Sequence, residues 1–305
     1  MDLHIHTNLS DGVKSPIEIL SMAQKEKLEY ISITDHDNCF AYEQLENINI
    51  KEHFNGKLIT GVEIMTCFDG IMIEVLGYGV DYHIINKWTR DYYSKEQIEK
   101  RDRDLFEELK RVIKKDSKIK LTDNLKLPDE IPYTGYFKYM IYNDILKHQE
   151  NEEFLKKNNI NTYEQFLRGG LSKKSSPIYF NQEKFIVNLQ DVVKLIHNSG
   201  GLAFLAHLYK YPIDDCMNFI KKLVDNKIEL DGIETSYSSF SSEQQQELEH
   251  FTKENKLFKS GGSDYHGKDG RTEKIGYGAN GKRIPKEYIE EWYKLIDGGK
   301  YATKI

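Results

Sequence analysis

Cysteine is scarce, with three in 305 residues. Cys39, Cys67 and Cys216 lie far apart, form no C-x-x-C pair and are odd in number, which argues against a secreted disulfide framework. Long apolar runs are absent too: none approaches the roughly 18 residues needed to span a bilayer. The stretch Met1–His6 has no charged region followed by an apolar one, so no signal peptide is read there, and a cytoplasmic protein without membrane association is expected. Positive charge is not in excess either. Lys and Arg number 43 against 49 Asp and Glu, a formal charge of -6, and the overall basic footprint of a non-specific nucleic-acid binder is missing. An acidic balance also fits clustered carboxylates that a bound cation would neutralise. No internal repeat or low-complexity tract stands out.

What is present is a strand–helix alternation at both ends of the chain. Apolar residues make up 39% and charged residues 30%, enough for a substantial core beneath a solvated surface. Met1–His6 reads as a strand. Ser15-Pro16-Ile17-Glu18 then combines an N-cap, a proline at the first helical position and a capping-box glutamate, which predicts a helix to about Lys27. Further strands are expected at Tyr30–Thr34, Lys57–Glu63, Ile71–Val80, Leu202–Ala206, Leu230–Thr235 and Leu257–Gly261. Helices are expected near 40–48, 189–197, 214–225, 241–255 and from Pro285. Seven strands separated mostly by helices argue for an α/β barrel. Residues 86–177 differ, being dense in Lys, Glu, Asp and Tyr. Ser94–Lys115 reads as one long helix there, with shorter ones at Tyr136–His148 and Tyr163–Leu167. The expected organisation is a discontinuous barrel, 1–85 and 178–305, carrying a helical insertion at 86–177.

The chemistry-bearing residues sit at strand ends. In His4-Ile5-His6 the period of two along a strand points both imidazoles the same way, so two rings can hold one divalent cation. Alone, such a pair is more often two histidines without a metal. Here it is joined by Asp11 in the following turn, His36 after the second strand, Glu63 closing the third, His207 closing the fifth, and Asp264 and His266 after the seventh. Barrel enzymes build their sites at the C-terminal ends of strands, so these donors can converge. A set of N and O ligands without Cys suits Zn, Mn or Fe, and eight ligands are too many for one ion. Two or three divalent ions with Glu63 as a bridge is the expected count. Asp35 and Asp37 flank His36 and are candidates either for orienting metal-bound rings or for plain turn formation. Glu234, ending the sixth strand, is a weaker candidate for any site role.

The segments Asp2-Leu3-His4-Ile5-His6-Thr7 with Ser10-Asp11-Gly12, Thr34-Asp35-His36-Asp37, Gly61-Val62-Glu63 and Gly262-Ser263-Asp264-Tyr265-His266 together resemble the polymerase and histidinol phosphatase (PHP) superfamily. The resemblance covers roughly residues 2–84 and 189–280. It implies a distorted (β/α)7 TIM-like barrel and metal roles for His4, His6, Asp11, His36, Glu63, His207, Asp264 and His266. It is nearest to the small stand-alone phosphoesterases, the 3′,5′-nucleoside bisphosphate phosphatases and 5′-to-3′ exoribonucleases, which also carry a helical insert after the fourth strand. Two departures stand out. Where many members have a metal-binding His in the fourth strand, this chain has Glu74, itself a competent ligand. The phosphate-contacting Arg that the resemblance implies for the insert is not evident near Thr134-Gly135-Tyr136-Phe137-Lys138.

The expected activity is therefore phosphate ester hydrolysis by a metal-bound hydroxide, on a phosphorylated small molecule, a nucleotide or a short RNA 5′ end. Glu63, Asp264 and His266 are the catalytic candidates, with His266 or a metal-bound water as general acid. Lys138, Arg168 and Arg101 are candidate phosphate contacts, with Arg103, Lys173 and Lys174 behind them; a charge run of this kind is usually a solvated face. Tyr133, Tyr136, Tyr139 and Tyr142 are candidates for base stacking, although helical spacing favours core packing. Alternatives are a histidinol-phosphate or other small-molecule phosphatase, an amidohydrolase-like C–N hydrolase that also uses H-x-H, and a non-catalytic module whose metals only stabilise the fold. No protein partner is evident.

Overall fold

The computed structural model describes residues 1–116 and 119–297. Its first compact unit comprises Met1–Thr89 and the chain from Val187 onward; the second is Arg90–Ile186. A six-stranded sheet organises the first unit in sequence order: β1 (Tyr30–Ile33), β2 (Lys57–Phe68), β3 (Ile71–Tyr78), β4 (Leu202–Leu205), β5 (Gly232–Tyr237) and β6 (Phe258–Gly262). The helices in chain order are α1 (Pro16–Lys25), α2 (Phe40–Leu45), α3 (Tyr82–Tyr92), α4 (Lys95–Asp116), α5 (Tyr136–Lys147), α6 (Glu152–Lys157), α7 (Tyr163–Gln165), α8 (Leu189–Asn198), α9 (Cys216–Asp225), α10 (Ser242–Asn255), α11 (Glu287–Glu290) and α12 (Tyr293–Asp297). Among the described residues, none is long and apolar enough to cross a membrane.

Local chemistry explains several boundaries. The Ser15 side chain accepts from the Glu18 N–H, and the Glu18 carboxylate accepts from the Ser15 N–H, so α1 begins where its capping box sits. The same device starts α10 at Ser241 and Gln244. Between β2 and β3 the two turn residues Asp69 and Gly70 both have positive φ, 51° and 70°. That is the mirror-image turn whose twist matches a tight hairpin. It makes β3 antiparallel to β2, with Phe68 opposite Ile71 and Met65 opposite Glu74. Consequently β2 runs on past Glu63 to Phe68, and β3 is also antiparallel to β4. The pairs β1–β2, β4–β5 and β5–β6 are parallel.

Residues 1–6, expected as a strand, instead make isolated bridges, Asp2 to Ile31 and Ile5 to Tyr265. Their backbone hydrogen bonds are divided between the two edges of the sheet. Asp2 donates to the Tyr30 carbonyl and accepts from Ser32, while Leu3 donates to Gly261 and His6 to Tyr265. The division leaves no run of ladder bonds on either side. The buried Asp2 carboxylate adds a further tie, accepting from Ser263 Oγ (2.6 Å), Ser263 N (3.0 Å) and Gly276 N (2.7 Å). The N-terminal segment and the loop after β6 are thereby held against each other.

The first unit has two apolar cores. One lies among Ile5, Ile33, Val62, Val75, Leu205 and Ile233, under α1, α8 and α9. The other packs Leu3, Tyr78 and Phe204 on Trp292 and Ile289. The second unit has its own core of Leu105, Leu109, Phe137, Ile141, Phe166 and Ile178. Apolar residues of α4 at helical spacing face that core, in keeping with the long helix expected from the sequence. Tyr142 packs there on Phe166, whereas Tyr133 and Tyr139 are exposed.

Candidate metal centre

The nine side chains expected as metal ligands, Glu74 included, fall into four overlapping groups, each able to hold a cation: His6, Asp11, His36 and His266; His4, Glu63 and His207; His4, His6 and Asp264; His36, Glu63 and Glu74. The overlap comes from how the elements deliver them. Ile5 lies between His4 and His6 and points into the core, so both imidazoles leave the segment on its other face. Their Nε2 atoms stand 3.1 Å apart. Gly262, at the end of β6, makes this approach possible. A Cβ there would lie 2.0 Å from the Cβ of His4. Just beyond, Asp264 adopts φ 56°, a left-handed conformation that is uncommon outside glycine and that often marks a functional position. Its N–H donates to the His4 carbonyl, and its Oδ1 lies 3.1 Å from His6 Nε2 and 3.4 Å from His4 Nε2.

Glu63 is the hub. Its Oε2 lies 3.2 Å from His4 Nε2, from His6 Nε2 and from His36 Nδ1, and its Oε1 lies 2.9 Å from His207 Nε2. The antiparallel hairpin brings Glu74 to the same face of the sheet, two residues out of register with Glu63. There it reaches His207 (3.2 Å) and His36 (3.8 Å). Asp11 contacts His266 (2.9 Å) and His36 (3.6 Å).

Despite these close contacts, four buried atoms of this cluster, His6 Nδ1, His36 Nδ1, His207 Nδ1 and Glu63 Oε2, have no partner in hydrogen-bond geometry among the described residues. Buried polar atoms are ordinarily satisfied. Nitrogen and oxygen donors crowded at about 3 Å, four of their atoms left unsatisfied, fit a site for divalent cations, and the residues present suit one chemically.

The electrostatics agree. Burial by itself would strip protons from the imidazoles. It is outweighed at His4 by Glu63, Glu234 and Asp264, which raise its pKa well above the usual value. At His6 burial is outweighed by Asp264 and Glu63, reaching about 9, and at His207 by Glu63 and Glu74, reaching about 10. Burial likewise pushes Glu63 and Asp264 upward, but His4 and its neighbours hold both carboxyls below the usual range. The imidazoles and carboxylates thus favour each other's charged forms. At His266 burial and His6 together lower the pKa.

Several supporting contacts were weakly signalled or not signalled in the sequence. Glu234 is fully buried; its Oε1 lies 3.0 Å from His4 Nδ1 and its Oε2 accepts from the His207 N–H at 2.9 Å. It therefore sets the His4 ring orientation, the part considered for Asp35 and Asp37. Asp35 instead accepts from Thr7 N, Thr7 Oγ1 and Ser10 Oγ, shaping the turn before Asp11, and Asp37 accepts from the Met65 N–H. Tyr237 donates to Asp264 Oδ2 at 2.7 Å, and Lys268 to Asp11 Oδ2 at 2.7 Å.

The donors open onto a cleft of about 460 Å³. Beyond them its lining includes the apolar Met65, Met72, Ile73 and Pro212 and the cationic Lys210 and Arg271. The expected phosphate contacts belong to the second unit. There the Arg101 guanidinium lies 4.2 Å over the Tyr92 ring, exposed Arg168 pairs with Glu164 at 3.2 Å, and Lys138, its pKa lowered by burial, lies 5.5 Å over Phe137.

An α/β sheet whose strands and following loops bring buried His and carboxylate donors together is the architecture of a metal-dependent hydrolase. The PHP domain model matches residues 2–301, and the chain belongs to that family. Over 271 residues it is 28% identical to a 5′-3′ exoribonuclease of Haemophilus influenzae, covering 87% of this chain and 89% of that protein. It is 23% identical over 281 residues to a phosphoribosyl 1,2-cyclic phosphate 1,2-diphosphodiesterase of Eggerthella lenta, covering 90% and 97%. A solved structure described as an amidohydrolase from Chromobacterium violaceum, with bound sulfate and no metal, superposes with a TM-score of 0.59 at 20% identity, covering 96% of this chain and 95% of that one. At that identity the likeness concerns the fold. The chain is a PHP-family metal-dependent phosphoesterase, which sets it apart from a non-catalytic binding module.

Proposed function

We propose that the enzyme hydrolyses phosphate esters of nucleotides, either 3′,5′-nucleoside bisphosphates or short RNA bearing a 5′ phosphate. The observation that carries this reading is the mixed lining of the cleft. Metal-binding donors and the cations Lys210 and Arg271 suit a phosphate, and the apolar Met65, Met72, Ile73 and Pro212 suit the face of a base. The relative named as an exoribonuclease supports the same substrate class. In this reading the barrel has seven staves, with Asp2–His6 as the seventh, and residues 86–177 form its insertion. Lys138, Arg168 and Arg101 are retained as candidate substrate contacts.

In the proposed mechanism His4, His6, Asp11, His36, Glu63, Glu74, His207, Asp264 and His266 hold two or three divalent ions, of Mn, Zn or Fe. Such ions acidify a water and polarise the phosphoryl oxygens of an in-line displacement. The protein's own part is positioning. Glu63 is ionised and shared among the histidines, Glu234 fixes the His4 ring, and Tyr237 fixes the Asp264 carboxylate. Burial and His6 lower the pKa of His266, which favours the neutral imidazole that ligation needs.

The test is product release in the presence of manganese from a nucleoside 3′,5′-bisphosphate, a 5′-phosphorylated short RNA and histidinol phosphate. Phosphate from the bisphosphate or mononucleotides from the RNA is expected. Turnover of histidinol phosphate alone would replace this reading with that of a small-molecule phosphatase.

A further inference from the structure

Arg271 competes with a backbone carbonyl for one ring nitrogen of His266. Its Nη1 lies 2.8 Å from His266 Nδ1, and the Asp264 carbonyl oxygen lies 2.8 Å from that same nitrogen. A guanidinium only donates and a carbonyl only accepts. The ring nitrogen has one hydrogen-bonding direction in its plane, so it can accept from Arg271 or donate to Asp264, not both. A metal-ligating histidine normally donates its distal N–H to a carbonyl or carboxylate. If Nδ1 donates to Asp264, as a ligating His266 would require, two N–H groups face each other at the Arg271 contact, which favours a guanidinium turned toward the cleft instead.

Its remaining contacts are long, 3.7 Å to Glu273 and 3.9 Å to Asp264 Oδ2, and its side chain is 40% exposed. It follows Gly270, which has φ 82° and open space around it. The guanidinium already forms part of the cleft wall, as does the exposed ammonium of Lys210, which has no ion pair among the described residues. We propose that Arg271, turned from His266 into the cleft it lines, clamps the phosphate of the substrate together with Lys210. The phosphate-binding arginine is thus supplied by the loop after β6, and the ligand class is a terminal phosphate held bidentately. The proposal rests on the phosphoesterase reading above.

The experiment measures inorganic phosphate binding to the manganese-loaded full-length protein by isothermal titration calorimetry, with metal content determined in parallel and KM and kcat measured on the best ester. Arg271→Met is expected to keep the wild-type metal content and to weaken phosphate binding by about 10–100-fold. The loss should appear mainly in KM. Arg271→Lys should recover part of the affinity, and Lys210→Met should cost about fivefold. Wild-type phosphate affinity in Arg271→Met at full metal load overturns the proposal. So does a loss of metal in that variant, or no phosphate binding by the wild type at millimolar concentration. If the wild type binds phosphate and Arg271→Met does not, yet no ester is turned over, the clamp stands and the phosphoesterase reading falls.

Discussion

Replacing Glu234 by Gln keeps the volume of a fully buried side chain and removes its charge and one acceptor. The carboxylate serves two partners at once, His4 Nδ1 at 3.0 Å and the His207 N–H at 2.9 Å. A carboxamide accepts at one end and donates at the other. In one orientation its NH₂ opposes the His207 N–H. In the other it opposes His4 Nδ1 and drives the ring proton onto Nε2, the nitrogen that faces Glu63, His6 and Asp264. A buried donor facing a donor costs about 1–3 kcal/mol. The first orientation places that cost on fold stability. The second places it on the metal centre, as about 10–100-fold in affinity. Competition with a chromophoric chelator for manganese or zinc reads one loss, and denaturant unfolding of the metal-free protein reads the other. Glu234→Gln is expected to lose one or both. A variant that keeps both wild-type values would refute the assignment of Glu234 as the group that orients His4.

Further outcomes follow from the same geometry. With His6 raised to about 9 and His207 to about 10, both bind protons more tightly folded than unfolded, where histidine titrates near about 6.5. Their contribution to the metal-free fold is complete below about pH 6.5 and is lost as pH rises through 9–10. Chelator-treated protein should therefore melt at lower temperature at pH 10 than at pH 7, and excess metal should narrow the gap; an equal melting temperature at both would contradict the charge accounting. Gly262→Ala inserts a methyl against the His4 Cβ and backbone, so it should separate His4 from Asp264 and lower metal content, measured on purified protein. Ser15→Ala removes the α1 N-cap and should cost about 1 kcal/mol in urea unfolding, with metal content unchanged.

The site was readable in the sequence where a strand's period sets direction. His4 and His6 share a face by that rule, and His207 and Asp264 follow from strand ends, whereas Glu63, expected to close its strand, lies inside β2. What escaped depends on contacts distant in sequence. Glu234 looked like one acid at the end of a strand, and only the closeness of β5 to the N-terminal segment shows that it holds the His4 ring. Arg271 and Lys268 lie a few residues past His266, but spacing does not tell which way a loop side chain turns. The reversal of β3 was signalled by Asp69-Gly70 between two apolar runs, a pair that favours positive φ at both turn positions. Reading it as a hairpin would have placed Glu74 beside Glu63 from the sequence alone. The irregular pairing of Asp2–His6 was not legible, because its hydrogen bonds are divided between two edges that fold together from opposite ends of the chain.

The account turns on the nine converging donors holding more than one divalent ion. The most direct measurement is the metal content of the purified protein by elemental analysis, after manganese loading and removal of free metal. The predicted result is about two or three ions per chain, dropping by at least one when His4 and Asp264 are both replaced by Ala. Less than one ion per chain in the folded wild type would contradict the account.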